Sequence, residues 1–288
     1  MNFEDQYKKY LGIIEDYIAS RMDSLTAEGG RGILLDAMKY SLISGGKRVR
    51  PVLALAVADI LNVPHEKILP FAYAIELIHT SSLIHDDLPA LDNDDYRRNK
   101  PSNHKVFGEA MAIIAGDAMM NLAYEEIFSC INSKEEIKAA KFLASCVGFY
   151  GMLGGQAIDI TGNKEQSAEY LYELDFHKTA KLIIAPICCA EILSGKSESD
   201  YYRFGVDLGI LFQFTDDYLD VTGSAEKLGK SIGKDAAENK ITAVSVYGLD
   251  GALKEIEARK QSCLEFLKTV ENSEFLRQFV INIADRKH

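Results

Sequence analysis

Clustered carboxylates in two parts of the sequence are the residues with the clearest capacity for chemistry. The clusters contain Asp86, Asp87 and Asp92 in the first case and Asp216, Asp217 and Asp220 in the second. Apolar residues precede both aspartate pairs, and a buried carboxylate without a partner is energetically costly. Oxygen-only ligands suit Mg²⁺, which holds few carboxylates and completes its coordination with water and phosphate oxygens. Both clusters therefore predict Mg²⁺ binding.

The spacing within each cluster brings its carboxylates together. A proline between Asp86 and Asp92 interrupts the helix, so that Asp92 can fold back toward Asp86. In the second cluster, Gln213, Asp216 and Asp220 follow at i, i+3 and i+7 and share one face of a helix. Each helix is thus expected to present a carboxylate patch.

The acidic run 92–95 has two alternative interpretations. Taken alone, it is typical of a solvated loop, because charge runs usually lie at the surface. A calcium-binding EF-hand is excluded, since the turn glycine would fall at Arg97 and the bidentate glutamate at Asn103.

Basic residues are concentrated in a few places, although the formal net charge is −11. They include Lys47, Arg48, Arg50, Arg97, Arg98, Lys178, Lys230 and Lys240. Guanidinium and ammonium groups beside glycines suit phosphate oxygens. Together with two Mg²⁺-type clusters, these residues predict an active site for a diphosphate ester, with metals on one phosphate group and bases on another.

Helical periodicity dominates the elements that must position these residues. Apolar residues recur at helical spacing along most of the chain, and strand-like alternation is scarce. Most of the six prolines are expected where a helix begins or ends, as Pro70 before 71–73. No linker, repeat or low-complexity tract marks a boundary. The sequence predicts an all-α protein of about ten helices in one domain, residues 1–288.

Composition excludes several classes of function. The acidic balance disfavours nucleic acid and anionic lipid as partners. The N-terminus lacks a secretory signal. The longest uncharged stretch, 142–158, is short for a membrane span and predicts a buried helix. This length also predicts no stable membrane insertion. Five cysteines without a C-x-x-C pair indicate reduced core residues of a cytoplasmic protein.

These motifs resemble those of all-trans isoprenyl diphosphate synthases, and the chain is similar to bacterial farnesyl and geranylgeranyl diphosphate synthases. The resemblance runs from about Met38 to the C-terminus. It rests on Asp86-Asp87-x4-Asp92-x4-Arg97-Arg98, on Asp216-Asp217-x2-Asp220 about 130 residues later, and on Gly-Gly-Lys-x-x-Arg-Pro at 45–51. Two such aspartate motifs together with the glycine-lysine motif are very specific.

The resemblance implies antiparallel helices around a deep cavity, usually as a homodimer. It implies an allylic diphosphate and isopentenyl diphosphate as substrates, with about three Mg²⁺ ions and Mn²⁺ as an alternative ion. The implied metal residues are Asp86, Asp87, Asp92, Asp159, Asp216, Asp217 and Asp220. The implied catalytic residues are Lys178, Thr179, Gln213 and Lys230. The implied substrate-binding residues are Lys47, Arg50, His79, Arg97, Arg98, Gln156 and Lys240.

The sequence departs from the family pattern at three places. Ala180-Lys181 stands where a glycine and a small or apolar residue are common, and Thr215 replaces a common glutamine. Ser81, five residues before Asp86, lies more than one helical turn deeper and, with Ser82, is expected at the cavity floor. A serine there leaves space that an aromatic residue would fill, so products of fifteen and twenty carbons both remain open.

Three other functions compete with this interpretation. His85-Asp86 is a dipeptide found in helical metal phosphohydrolases, which would use histidines as primary metal ligands. A terpene cyclase would share the first aspartate motif but not require a second basic pocket. A non-catalytic regulatory subunit would be marked by loss of an aspartate cluster, and both clusters are present.

Overall fold

The computed structural model describes residues 2–25, 31–162, 167–196, 201–223 and 240–286. Within these residues, the helices are α1 Phe3–Asp23, α2 Arg31–Leu42, α3 Val49–Leu61, α4 His65–Asp86, α5 Asn103–Phe107, α6 Glu109–Cys130, α7 Lys134–Val147, α8 Met152–Thr161, α9 Ala168–Asp175, α10 Lys181–Leu193, α11 Tyr201–Thr222, α12 Ala243–Lys268 and α13 Glu274–Ala284. A π-helical turn, Phe176–Ala180, joins α9 to α10. An antiparallel hairpin pairs β1, Tyr96–Arg97, with β2, Lys100–Pro101. The prediction of an all-α fold with about ten or more helices is confirmed.

One continuous core of buried apolar side chains runs from α1 to α13. Most residues of α3 and α10 are buried, so these two helices lie at the centre of the core. α4 packs against α6, and α11 packs against α12. Since α4 ends at the first aspartate cluster and α11 carries the second in its last two turns, core packing holds both clusters in place.

The prediction that Pro70 marks a helix start was wrong. α4 begins at His65, directly after Pro64, and Pro70 lies inside it. Because Pro70 lies only one and a half turns into the helix, it removes one backbone hydrogen bond, that to the carbonyl of Glu66. Pro186 likewise lies inside α10, where burial of nearly the whole helix compensates for the lost bond.

The prediction of one buried helix over 142–158 was also wrong. α7 ends at Val147 and α8 begins at Met152, with a turn between them. A side chain on Gly151 would put a Cβ 2.1 Å from the carbonyl oxygen of Cys146, so the turn requires glycine. Phe149 on this turn is 83% exposed. Among the residues described, no helix is long and apolar enough to span a bilayer.

Candidate active site

α4 ends at the first aspartate cluster, and the chain then turns back on itself. Asp86 is the last helical residue, and the backbone N–H of Asp92 donates to the carbonyl of Asp86 at 2.9 Å. The next residue, Asn93, takes a left-handed φ of 50°, which asparagine tolerates better than most residues. This hydrogen bond confirms the expected fold-back of Asp92.

The carboxylate of Asp86 lies at a meeting point of several segments. Nε2 of Gln156 in α8 donates to its Oδ1 at 2.8 Å. Burial raises the pKa of Asp86 to about 6, while the ammonium group of Lys178 opposes the shift and Asp92 adds to it. Desolvation with a nearby cation is typical of carboxylates in functional sites.

Asp87 has different surroundings from Asp86. It is 2% exposed, and Nε of Arg97 donates to its Oδ1 at 2.7 Å. A second guanidinium nitrogen of Arg97 lies 2.5 Å from the same oxygen. Burial raises the pKa of Asp87, and Arg97 opposes that shift. Arg97, which the resemblance assigns to substrate, is therefore held by Asp87.

The second cluster lies on the last two turns of α11. Asp216 is paired with the guanidinium group of Arg286. Asp217 accepts a hydrogen bond from Nε2 of Gln213 and another from the backbone N–H of Ala243, both at 2.7 Å. Ala243 is the first residue of α12. The partial positive charge at this helix N-terminus therefore stabilises the carboxylate of Asp217.

Two further buried carboxyls adjoin the second cluster. Asp220 is 3% exposed, and its Oδ2 has no hydrogen-bond partner among the described residues. Oδ2 of Asp175, at the end of α9, likewise has no hydrogen-bond partner among the described residues. Burial raises the pKa of Asp175 well above its ordinary value, with Asp217 and Asp159 adding to the shift. Sequence reasoning missed Asp175, because it belongs to neither cluster.

Lys178 and Thr179 lie on the π-helical turn Phe176–Ala180. Such turns are frequent at functional sites because they displace side chains from the regular helical positions. A side chain at Gly155 of α8 would put a Cβ 2.2 Å from the backbone nitrogen of Lys178. The glycine therefore allows α8 to approach the turn closely.

Packing explains two departures from the family pattern. A Cβ at Gly209 of α11 would lie 2.5 Å from Ala180, so a glycine on the facing helix makes room for the alanine of the turn. Thr215 is 2% exposed, and its hydroxyl donates to the carbonyl of Leu211 at 2.8 Å. Thr215 thus bonds within α11 and needs no partner in the site.

The π-helical turn connects the two aspartate clusters on one side. The ammonium group of Lys178 is paired with Asp159 of α8 and lowers the pKa of Asp86 in the first cluster. Oγ1 of Thr179 donates to Oε1 of Gln213 at 2.8 Å. Because Gln213 also holds the second cluster through its amide nitrogen, consecutive residues of one turn contact the surroundings of both clusters.

The segment before α12 connects the clusters on another side. Nζ of Lys240 lies 3.4 Å from Oδ1 of Asp92. Three residues later, Ala243 donates to Asp217 of the second cluster. The two carboxylate clusters therefore border a common space. Lys230, also expected there, lies outside the described residues.

A group of basic side chains near the second cluster surrounds His79. Burial lowers the pKa of Arg50 to about 10, while Glu76 and Asp216 oppose the shift and Arg98 adds to it. Burial, Arg50 and Arg98 hold the pKa of His79 well below its ordinary value, so His79 is neutral at neutral pH. Nε of Arg50 has no hydrogen-bond partner among the described residues. This arrangement favours binding of a multivalent anion.

Lys47 extends the basic group toward the end of the chain. It lines a cavity of about 480 Å³ together with Tyr7, Phe212 and Arg286. Burial lowers the pKa of Lys47, with Arg286 adding to the shift and Asp216 opposing it. Arg286 was not predicted from the sequence, because no local pattern pairs it with an aspartate 70 positions earlier.

The donor set suits a hard cation. All side chains of the two clusters offer oxygen, and Oδ2 of Asp220 is buried without a partner among the described residues. In the described ranges, no three His, Cys, Asp or Glu side chains converge closely enough to enclose a metal ion. Because their donors are carboxylate oxygens, the residues fit Mg²⁺ that takes its remaining ligands from water and a bound diphosphate.

His85 lies apart from the carboxylate clusters. Its Nε2 is 3.2 Å from the carbonyl oxygen of Ile113 and 3.7 Å from Oδ1 of Asp117, both in α6. A Cβ on Gly116 would lie 2.1 Å from the same nitrogen, so His85 packs closely on α6. Because Asp86 contacts α8 instead, the histidine and the aspartate do not form the shared metal site of a phosphohydrolase.

Comparisons with known proteins point to one family. A sequence profile of the family described as Polyprenyl synthetase matches residues 31–280. The geranylgeranyl diphosphate synthase of Cyanophora paradoxa is 36% identical over 285 residues, which is 95% of each chain. A heterodimeric geranylgeranyl pyrophosphate synthase large subunit of Arabidopsis thaliana is 43% identical, and the match covers 75% of this chain and 61% of that relative.

Solved structures are similar over nearly the whole chain. A geranyltransferase from Legionella pneumophila has a TM-score of 0.85 at 30% identity, covering 99% of this chain and 97% of its own. An FPP/GFPP synthase from Zymomonas mobilis also has a TM-score of 0.85 at 30% identity, covering 98% and 99%. The chain therefore belongs to the polyprenyl synthetase family and is an enzyme of the prenyltransferase class.

Proposed function

We propose that this enzyme condenses isopentenyl diphosphate with an allylic diphosphate and gives farnesyl or geranylgeranyl diphosphate. The allylic substrates are dimethylallyl and geranyl diphosphate, with farnesyl diphosphate added if the product has twenty carbons. The observation that supports this most directly is the pair of carboxylate clusters bordering one space, with a basic group around His79 beside them. Two diphosphates need two such subsites.

The allylic diphosphate is assigned to the space between the clusters. Asp86, Asp92 and Asp216 would hold Mg²⁺, supported directly or through water by Asp87, Asp159, Asp217 and Asp220. When bound, Mg²⁺ neutralises the negative charge that develops on the leaving diphosphate. Lys178, Lys240, Lys230 and Arg97 would add positive charge to the same oxygens. Lys178 and Lys240 are supported by their positions beside Asp86 and Asp92.

Isopentenyl diphosphate is assigned to the basic group. Lys47, Arg50 and Arg98 would bind its diphosphate, because guanidinium groups match phosphate oxygens in geometry and charge. His79 would donate a hydrogen bond as a neutral imidazole, in keeping with its lowered pKa. The polarised side chains of Thr179 and Gln213, which are hydrogen-bonded to each other, would face the developing cation.

The reaction follows from this arrangement. The allylic C–O bond breaks, and its electron pair leaves with the diphosphate. The double bond of isopentenyl diphosphate then attacks C1 of the allylic cation, forming a carbon–carbon bond. A proton from C2 of the isopentenyl unit passes to the departing diphosphate, which restores a double bond. The apolar cavity that the family resemblance implies would exclude water that would otherwise capture the cation.

A direct assay tests the proposed function. The purified chain is incubated with Mg²⁺, isopentenyl diphosphate and each allylic primer in turn, and products are separated by chromatography. We expect diphosphate release together with a longer prenyl product. Release of diphosphate with a cyclic hydrocarbon would indicate a cyclase, and phosphate release from nucleotides alone would indicate a phosphohydrolase. No turnover with any primer would contradict the proposal.

The substitution Ser81→Phe is expected to shorten the product by one isoprene unit. Ser81 is fully buried, and its hydroxyl donates to the carbonyl of Gly116 in α6 at 2.8 Å. We propose that the growing prenyl chain ends against this position, which a phenyl ring would block. Chromatography of the dephosphorylated alcohols measures the change. Ser81→Ala, which adds no volume, is the control, and an unchanged product with Ser81→Phe would show that Ser81 does not form the floor.

We also propose a homodimer in which α6 lies at the interface. Large apolar residues along this helix are exposed, among them Ile113 at 45%, Ile114 at 49% and Phe128 at 67%. Surface patches of this kind mark contact sites between proteins. Phe128→Asp is expected to convert dimer to monomer in sedimentation velocity, whereas Leu253→Asp on α12 is not. A monomeric unmodified protein would contradict this proposal.

A cytoplasmic location is proposed from the cysteine chemistry. All five cysteines are free thiols. Burial raises the pKa of Cys130 and of Cys146 to about 11, which keeps these thiols protonated and unreactive. Four of the five are buried and Cys130 is partly buried, and reduced cysteines of this kind suit a reducing compartment.

A further inference from the structure

Arg48 differs from the basic residues on either side of it. Its backbone has φ 46° and ψ 40°, the left-handed conformation, directly before α3 begins at Val49. This conformation is uncommon for a residue with a side chain and persists where surrounding contacts fix it. The side chain of Arg48 is fully buried. Arg48 therefore cannot reach a bound diphosphate, whereas Lys47 and Arg50 are proposed to bind one.

The guanidinium group of Arg48 joins three helices. Nε donates to Oε1 of Glu15 in α1 at 2.7 Å, and one terminal nitrogen donates to Oε1 of Glu76 in α4 at 2.7 Å. The other terminal nitrogen donates to the carbonyl of Leu42, at the end of α2, at 2.6 Å. A buried charge is tolerated only with such complete pairing. The loop that contains Arg48 is thereby fixed against α1, α2 and α4.

Further contacts fix the same loop on both sides of Arg48. The hydroxyl of Tyr7 in α1 donates to the carbonyl of Lys47. The guanidinium group of Arg98 donates to the carbonyl of Gly45. A side chain at Gly46 would put a Cβ 2.8 Å from Cζ of Arg98, so the glycine allows this approach. The loop and the basic group thus depend on one another for their positions.

Glu76 interacts both with Arg48 and with the arginines of the basic group. It is 2% exposed and lies one helical turn before His79 in α4. Its negative charge opposes the lowering of the pKa of both Arg50 and Arg98. Arg48 anchors Glu76 by a direct hydrogen bond. The position of Arg48 therefore affects both the backbone that carries Lys47 and the counter-charge of the arginines.

We propose that Arg48 is a positioning residue for the second diphosphate subsite. It holds the loop so that Lys47 and Arg50 are in place before isopentenyl diphosphate binds, and its own charge is neutralised by Glu15 and Glu76. This inference rests on the proposed function, in which Lys47 and Arg50 bind that diphosphate. It extends that function to a buried network that does not touch the substrate.

Glu15→Gln is the most informative test, because a simple charge effect and the loss of positioning predict opposite changes in KM for isopentenyl diphosphate. Removing a negative charge near the subsite would, by electrostatics alone, strengthen binding of an anionic substrate and lower KM for isopentenyl diphosphate. Loosening Arg48 misplaces Lys47 and Arg50 and raises that KM, by about 3- to 10-fold. We expect the rise, with kcat and KM for the allylic substrate changed less than about twofold.

Asp16→Asn is the matched control for charge. Asp16 is the exposed neighbour of Glu15 on α1, so the substitution removes the same charge without touching Arg48. We expect no rise in KM for isopentenyl diphosphate. An unchanged or lowered KM in Glu15→Gln would overturn the inference, as would an equal rise in both variants.

Arg48→Lys tests the network without changing net charge. A lysine cannot satisfy three acceptors in the geometry of the guanidinium group. We expect KM for isopentenyl diphosphate to rise in this variant, with thermal melting used to confirm that it is folded. An unchanged KM in folded Arg48→Lys would overturn the inference.

Lys47→Ala separates failure of this inference from failure of the proposed function. If Lys47→Ala leaves KM for isopentenyl diphosphate unchanged, the assignment of the diphosphate to this group is wrong. If Lys47→Ala raises KM but Glu15→Gln and Arg48→Lys do not, the subsite is correctly assigned and Arg48 does not position it.

Discussion

Asp86→Asn is expected to lower kcat by about 10³-fold or more and, at the same time, to raise the melting temperature of the metal-free protein. The loss of activity follows because Asp86 is a proposed Mg²⁺ ligand, and charge stabilisation of the leaving group is the dominant catalytic contribution. Asparagine keeps an oxygen that can accept the hydrogen bond from Nε2 of Gln156. The shape of the site is therefore preserved while its charge is removed.

The gain in stability follows from the pKa of Asp86. Burial raises this pKa from its ordinary value to about 6, so the ionised carboxylate opposes folding at neutral pH. The penalty is absent below the ordinary pKa and develops as the pH rises through about 6. Removing it contributes about 1–2 kcal/mol, or about 2–5 °C in melting temperature.

Melting curves in chelator, recorded from pH 4 to pH 8, test this expectation. The advantage of Asp86→Asn over the unmodified protein is expected to be full near pH 7 and to disappear near pH 4. Asp95→Asn in the same loop is the control, because hydrogen bonding to Lys105 lowers the pKa of Asp95. Asp95→Asn is expected to retain kcat and gain no stability. Higher stability of the unmodified protein at pH 7 would contradict the argument.

The carboxylates of the site share a further property, which is that protein cations already neutralise several of them. Four pairs join Asp87 to Arg97, Asp92 to Lys240, Asp159 to Lys178 and Asp216 to Arg286. Like charges this close would otherwise repel strongly. Under the proposed function, binding of Mg²⁺ and diphosphate would exchange these partners, with the cations moving from carboxylate to phosphate oxygens.

Local patterns in the sequence predict much of the fold and part of the site. The helical spacing of apolar residues predicts the all-α fold, because that periodicity is a property of neighbouring residues. The return of Asp92 to Asp86 is predicted for the same reason, since both residues belong to one turn. Short-range geometry follows from spacing in these cases, but not at Pro70, which lies inside α4, or at the turn between α7 and α8.

Partners far apart in the chain could not be found in this way. Arg286 and Asp216 are separated by 70 residues, and no local pattern connects them. The partners of Arg48 in α1 and α4 are likewise set by helix packing. No repeating pattern in the sequence predicts the π-helical turn at Phe176–Ala180 either. Tertiary packing decides these contacts, and the site depends on all of them.

Lys178→Met is expected to lower kcat by about 10²- to 10³-fold, the effect of removing one well-placed donor from a developing anion. Lys178 lies on the π-helical turn, paired with Asp159 and close enough to Asp86 to lower its pKa. Methionine retains the length and the apolar part of the side chain, so the turn keeps its packing. KM for the allylic substrate is expected to rise less than kcat falls, because the lysine is proposed to act most strongly on the charge of the transition state.

Lys181→Met is the matched control for this substitution. Lys181 lies three residues later, at the start of α10, and its Nζ is 4.6 Å from the centre of the Phe176 ring. The substitution removes this contact and the same charge from the same part of the chain, but it leaves the aspartate clusters intact. We therefore expect kcat to change less than about threefold. Single-turnover measurements separate ionisation from product release in both variants. Equal losses in the two would mean that general positive charge, and not the position of Lys178, promotes the reaction.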